Sequence, residues 1–108
     1  MKDISIRKAT AADIGQIFHF IRELAIYEKA LDEVSTDEAS LHDALFGDQV
    51  RAHALICEID RQAVGFAIYF YNFSTWLGKY GIFLEDLYVS PEFRGFGAGK
   101  ALLQYLAK

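Results

Sequence analysis

A chain of 108 residues is long enough for one domain and too short for two. It is 53% hydrophobic and 24% charged, enough apolar surface to offset the entropy of ordering a backbone, which excludes disorder as the default state. Eleven Lys and Arg against fifteen Asp and Glu leave a net charge of −4, so no global field draws in a phosphate backbone and a nucleic-acid partner is not expected.

Ile4 and Ile6 alternate with Asp3, Ser5 and Arg7, the period-two pattern of a strand over residues 3–8. Thr10 followed by Asp13 marks a helix start, and Ile14, Ile17, Phe18, Ile21, Leu24 and Ala25 recur at helical spacing to an end near Lys29. Ser35 with Glu38 reads as the capping box of a second, shorter helix that buries Leu41, Ala44 and Leu45 and stops at Gly47. Between Glu28 and Asp48 seven acids and one base carry a net −6, leaving +2 elsewhere. Such a block is either a solvated helix and loop surface or a face that attracts a cationic ligand.

From Ala52 the period changes. Leu55, Ile56, Cys57 and Ile59 form a strand that ends at the hairpin tripeptide Asp60-Arg61-Gln62. Val64 to Phe73 follows as a long aromatic strand, Asn72 to Gly78 as a connection, and Tyr80 to Val89 as a fourth strand interrupted by the carboxylates Glu85 and Asp86. Neighbouring strand residues face opposite ways, so both acids look into one cleft only if a bulge re-aims one of them. Ser90-Pro91 stops the strand, and Arg94-Gly95-Phe96-Gly97-Ala98-Gly99 leads into a helical run from Lys100 to Lys108.

Several chemistries find no support. Cys57 is the one cysteine, so no internal disulfide or paired-thiolate metal site can form, and it reads as packed in its strand. His19, His42 and His53 lie on separate elements without carboxylates at ligand spacing, so no metal is expected. Apolar runs are too short to span a bilayer and the N-terminus lacks a signal-peptide core, so a cytoplasmic protein with no membrane partner is expected.

Strand, turn, alternate glycines and helix together make either a loop whose amides converge on a phosphate or a glycine-rich turn that merely reverses the chain. A dinucleotide fingerprint fails because Lys100 or Leu102 stands where its third glycine belongs, and a Walker loop fails at Arg94 and Ala101. The pattern that fits is [QR]-x-x-G-x-[GA], from Arg94 to Gly99 directly after Leu87-Tyr88-Val89-Ser90-Pro91. It resembles the acetyl-CoA motif of the GNAT superfamily of N-acetyltransferases. Four further blocks, Ile6 to Asp13, Glu23 to Glu28, Trp76 to Lys79 and Leu84 to Val89, make the chain most similar to the diamine (spermidine/spermine) and thialysine acetyltransferases.

The resemblance implies an α/β (α+β) fold: a mixed, mainly antiparallel sheet flanked by helices in the order β-α-α-β-β-β-α, one domain over residues 1–108. It implies acetyl-CoA as cosubstrate, with the backbone of Leu87, Tyr88 and Val89 pairing with the pantetheine arm. Arg94, Gly95, Phe96, Gly97, Ala98, Gly99 and Lys100 would surround the pyrophosphate. Tyr27, Glu28 and Glu85 would face a small cationic amine; beside them Asp86 reads as a residue that orders water or binds the cation, and Trp76, in an aromatic cluster that reads as core or interface, is the candidate wall of that site. Glu85 would take the proton that the ammonium must lose before attack, since its pKa is near 10.

The chain departs from the pattern at its end. The family's next strand is absent, as are a later helix and the tyrosine that protonates the leaving thiolate, so the sequence reads as truncated. The fourth strand would then be an open edge beside apolar surface, and a homo-oligomer, most simply a dimer, is expected. The alternative readings are a homologue that binds CoA but is catalytically impaired, and a self-associating module.

Overall fold

Residues 3–107 are described in the computed structural model of the chain. Seven main elements follow one another: β1 (Ile4–Lys8), α1 (Ile14–Tyr27), α2 (Glu38–Phe46), β2 (His53–Ile59), β3 (Gln62–Ser74), β4 (Lys79–Val89) and α3 (Ala98–Leu106). The order is the one the sequence predicts. The part of the last helical run at Lys108 lies outside the described residues.

The four strands form one sheet in sequence order, every neighbouring pair antiparallel. The mixed sheet expected from resemblance is therefore wholly antiparallel among these residues, because hairpins join β2, β3 and β4 directly. One face carries α1 and α2 over Ile17, Phe20, Leu45, Ile56, Phe66 and Tyr88. The other carries α3, with Leu102 packed on Leu55, Cys57, Val64 and Ala67. Leu102 is fully buried and Leu106 packs at the margin of the same core, while Leu103 points away at 47% exposure.

Local chemistry explains where the helices begin and end. Asp13 accepts the Thr10 backbone N–H at 2.7 Å just ahead of α1. At the other end Ala30 N–H donates to Ala25 O at 2.8 Å and Lys29 N–H to Ile26 O at 3.0 Å, with Lys29 left-handed at φ 59°. This is a Schellman motif built without glycine, and it leaves Tyr27 and Glu28 on the final turn. The α2 cap differs from expectation: Asp37, not Ser35, is the cap, accepting Ser40 N–H at 2.7 Å. With Asp37 as the cap the helix begins two residues later than a Ser35 cap would start it, and the carboxylate accepts the amide three positions on.

Three departures from regular pairing shape β3 and β4. The β2–β3 turn uses only Asp60 and Arg61, both at positive φ, the two-residue geometry that matches strand twist. The β3–β4 connection shrinks to residues 75–78, because pairing continues through Phe73–Tyr80 to Ser74–Lys79. Beyond the His53–Tyr69 pair β3 has only β4 beside it, so residues 70–83 project as a two-stranded ribbon. Its tip carries Trp76, 96% exposed. Finally, Ile68 pairs with Asp86 and Tyr69 with Leu84, so Glu85 is the extra residue of a bulge.

Candidate active site

A cavity of about 700 Å³ opens where the C-terminal turn of α1, the end of β4 and the start of α3 converge. Leu24, Tyr27 and Glu28 line it from α1, and Leu87, Tyr88 and Val89 from β4. The remaining wall is the segment from Phe93 to Lys100, without Phe96. β4 is an edge strand here, with β3 on one side only, so backbone groups on its free side face no further strand among the described residues.

The glycine loop has the conformation its composition calls for. Gly95 and Gly97 stand at φ 91° and 89°, a region that L side chains rarely enter, and Gly97 is the cap of α3. A Cβ built on Gly99 would meet nothing within 4 Å, so its missing side chain leaves open space at the cavity rather than relieving a clash. Amides at the start of a nine-residue helix and a floor free of side chains suit an anionic group such as a pyrophosphate.

Arg94 lies inside the cavity wall. Its Nε–H donates to the Val89 carbonyl at 2.9 Å. Its guanidinium sits 4.8 Å from the centre of the Tyr27 ring and 5.5 Å from that of Tyr88. Tyr88 is buried, and its hydroxyl donates to Glu23 at 3.4 Å, while Glu23 pairs with His19 Nε2 at 2.8 Å. Burial, the Glu23 carboxylate and their contact raise the Tyr88 phenol above its ordinary pKa, against the opposing pull of Arg94.

Carboxylates gather beside the cavity. Asp86, on β4 two residues before Tyr88, is half-buried, and its pKa is raised by burial first and then by repulsion from Glu85 and Glu28. Two carboxylates that disfavour the charge of Asp86 mark a place where a bound cation would relieve the repulsion on it. Glu85 is exposed at the bulge.

Of the residues predicted from sequence, Tyr27, Glu28, Leu87, Tyr88, Val89, Arg94, Gly95, Gly97, Ala98, Gly99 and Lys100 line this cavity. Glu85 and Asp86 stand next to it through Glu28 without lining it. Trp76 is not brought there: the ribbon carries it to the hairpin tip in open solvent. Phe96 is 46% exposed and outside the lining. Leu24 and Phe93 were not anticipated as site residues. Leu24 lies three and four positions before Tyr27 and Glu28, which puts all three on one helix face, a signal present in the sequence. Among the described residues no group of three His, Cys, Asp or Glu could hold a metal ion. Cys57 is buried, and its thiol is pushed up to about 11 by that burial.

Comparison with known proteins places this geometry in context. Residues 18–108 match the acetyltransferase (GNAT) family. The thialysine N-epsilon-acetyltransferase of Bos taurus is 40% identical over the whole chain, which spans 68% of that protein. The spermidine/spermine N(1)-acetyltransferase-like protein 1 of Homo sapiens is 36% identical over the whole chain, which spans 16% of it. Among solved structures, a ribosomal-protein-alanine N-acetyltransferase from Brucella melitensis superposes with a TM-score of 0.76 at 25% identity, covering 97% of this chain and 70% of its own.

Proposed function

Because the chain belongs to the acetyltransferase (GNAT) family, we propose that its cavity takes acetyl-CoA and that the acids beside it receive a primary amine of a small cation, a polyamine or a thialysine-like amino acid. The observation that carries this reading is the joining of the two chemistries in one place: a left-handed glycine loop with open space at Gly99, and a half-buried Asp86 on β4 whose charge is disfavoured by burial, Glu85 and Glu28. The acetyl thioester would supply an acyl carbon open to attack by a neutral amine, its C–S bond breaking as the C–N bond forms and the departing thiolate taking a proton from solvent.

The remaining work falls to this chain's residues. Amides from Gly95 to Lys100, with Arg94, hold the anionic end by the helix N-terminus. The free backbone groups of Leu87 to Val89 pair with an extended arm as a further strand would. Glu28 and Asp86 bind the ammonium, Tyr27 closes over it, and Glu85 at the exposed bulge accepts its proton and returns it to solvent. A homo-oligomer formed through the free β4 edge and the ribbon is part of the proposal.

Calorimetric titration with acetyl-CoA, followed by amine-dependent thiol release with spermidine and thialysine as acceptors, tests this reading. Micromolar binding, about −8 kcal/mol, with thiol release that requires the amine is the expected result. Glu85→Gln then lowers kcat by about 10²-fold while leaving the affinity for CoA unchanged. No heat at millimolar ligand refutes the cofactor assignment, and binding without thiol release leaves a CoA-binding homologue that does not turn over.

A further inference from the structure

Arg94 makes three contacts that its place in a glycine loop does not require. Its neighbours in the sequence, Gly95 and Gly97, are the conformationally freest residues of the segment, and its own side chain is largely exposed. An unrestrained guanidinium there would sample solvent. Instead one nitrogen is tied to the Val89 carbonyl at 2.9 Å, and the cationic plane is flanked by Tyr27 from α1 and Tyr88 from β4. Tyr88 is itself fixed from behind by its hydrogen bond to Glu23, which is in turn paired with His19. Tyr27 is the last residue of α1, held by the Schellman motif that ends the helix.

We propose that Tyr27 and Tyr88 are positioning residues for Arg94: their rings hold the guanidinium at the cavity wall, so a pyrophosphate-bearing acyl carrier meets a cation already in place. This rests on reading the cavity as a CoA site. It gives Tyr27 a role toward the anionic end of the carrier in addition to its contact with the amine. Cation–π contacts hold the charge without neutralising it, unlike a carboxylate partner, so the guanidinium stays available to an anion. Neither aromatic removes a hydrogen-bond donor from the fork, and four of the five remain after Nε–H is used. The side-chain entropy lost on binding is reduced by the same restraint.

The test compares two ligands and four variants. Tyr27 is 65% exposed, so Tyr27→Leu and Tyr27→Phe are expected to fold. Tyr27→Leu should weaken CoA binding by about 3- to 10-fold, the scale of one or two cation–π contacts. Tyr27→Phe, which keeps the ring, should match the parent chain. Pantetheine, which has no phosphate, should bind the parent and Tyr27→Leu chains equally in an NMR titration. In an Arg94→Ala background, Tyr27→Leu should cost nothing further. An equal loss with pantetheine, or a loss that adds fully to that of Arg94→Ala, overturns the proposal. On the ligand-free chain the Arg94 Nε–H resonance should be shifted upfield by the rings and move downfield in Tyr27→Leu. An unmoved resonance also overturns the proposal, even if CoA fails to bind the parent chain and the cofactor reading falls on its own.

Discussion

Asp13 serves two elements at one position. Its carboxylate accepts the Thr10 amide and takes two hydrogen bonds from Arg7, at 2.7 and 2.8 Å, so it joins the end of β1 to the start of α1. The Arg7 guanidinium, more than the amide, holds its pKa down to about 2 from an ordinary 3.8. A carboxylate depressed in the folded state adds stability that is complete above the unfolded pKa, and this is lost as pH falls from 3.8 through about 2. Asp13→Ala should therefore cost about 1 to 2 kcal/mol at pH 7, the partial exposure of Arg7 keeping it below the full linkage value. Urea denaturation near pH 2 should show the gap largely closed, and a gap independent of pH would contradict this account. Thr10 and Asp13 are legible in the sequence as a helix start. Arg7 as their partner is not, because the contact depends on how the strand turns into the helix. Likewise, nothing in the sequence pairs Tyr27 with Arg94, which meet only once the sheet has brought β4 under α1.

At the scale of elements, the order of strands and helices and the glycine loop were readable from periodicity and spacing. What escaped depended on competition or on pairing. Asp37 displaced Ser35 as a cap because both lie within reach of the same helix start. The ribbon outran its predicted end because Phe73 and Tyr80 pack at 5.0 Å across the strands, which favours continued pairing over the turn suggested by Asn72. The bulge at Glu85 could be posed as a condition from two adjacent acids, but its position is set by the opposing strand. The glycine loop gives the sharpest element-level prediction. Gly97→Ala forces a left-handed residue, costing about 1 to 2 kcal/mol of stability. Gly99→Ala, which the [GA] position of the motif allows, meets no neighbour and no positive φ, so its melting temperature should stay at or slightly above the parent value and CoA binding should hold, whereas the bulkier Gly99→Leu should lower CoA binding about 10-fold or more. If calorimetry shows Gly99→Leu binding CoA normally, the open space at that position is not where the ligand lies.

For the whole molecule, the two unequal ends of the sheet matter most. At one end helices cover both faces of the sheet. At the other the ribbon exposes Tyr71, Phe73, Tyr80 and Ile82 on one face of β3 and β4. Apolar surface of this kind next to a free edge favours self-association. Sedimentation at micromolar concentration should give a dimer, and Tyr80→Glu with Ile82→Lys should return it to a monomer. A parent chain that sediments only as a monomer rules this out. Trp76 sits at the far tip of that ribbon and is the chain's one tryptophan. Its indole is bathed in water whether the chain is folded or not, so intrinsic fluorescence should pass through the unfolding transition almost silently while circular dichroism records it. The same residue then becomes a clean optical reporter of something else: a blue shift on concentrating the protein would mean that another surface has closed over the hairpin tip.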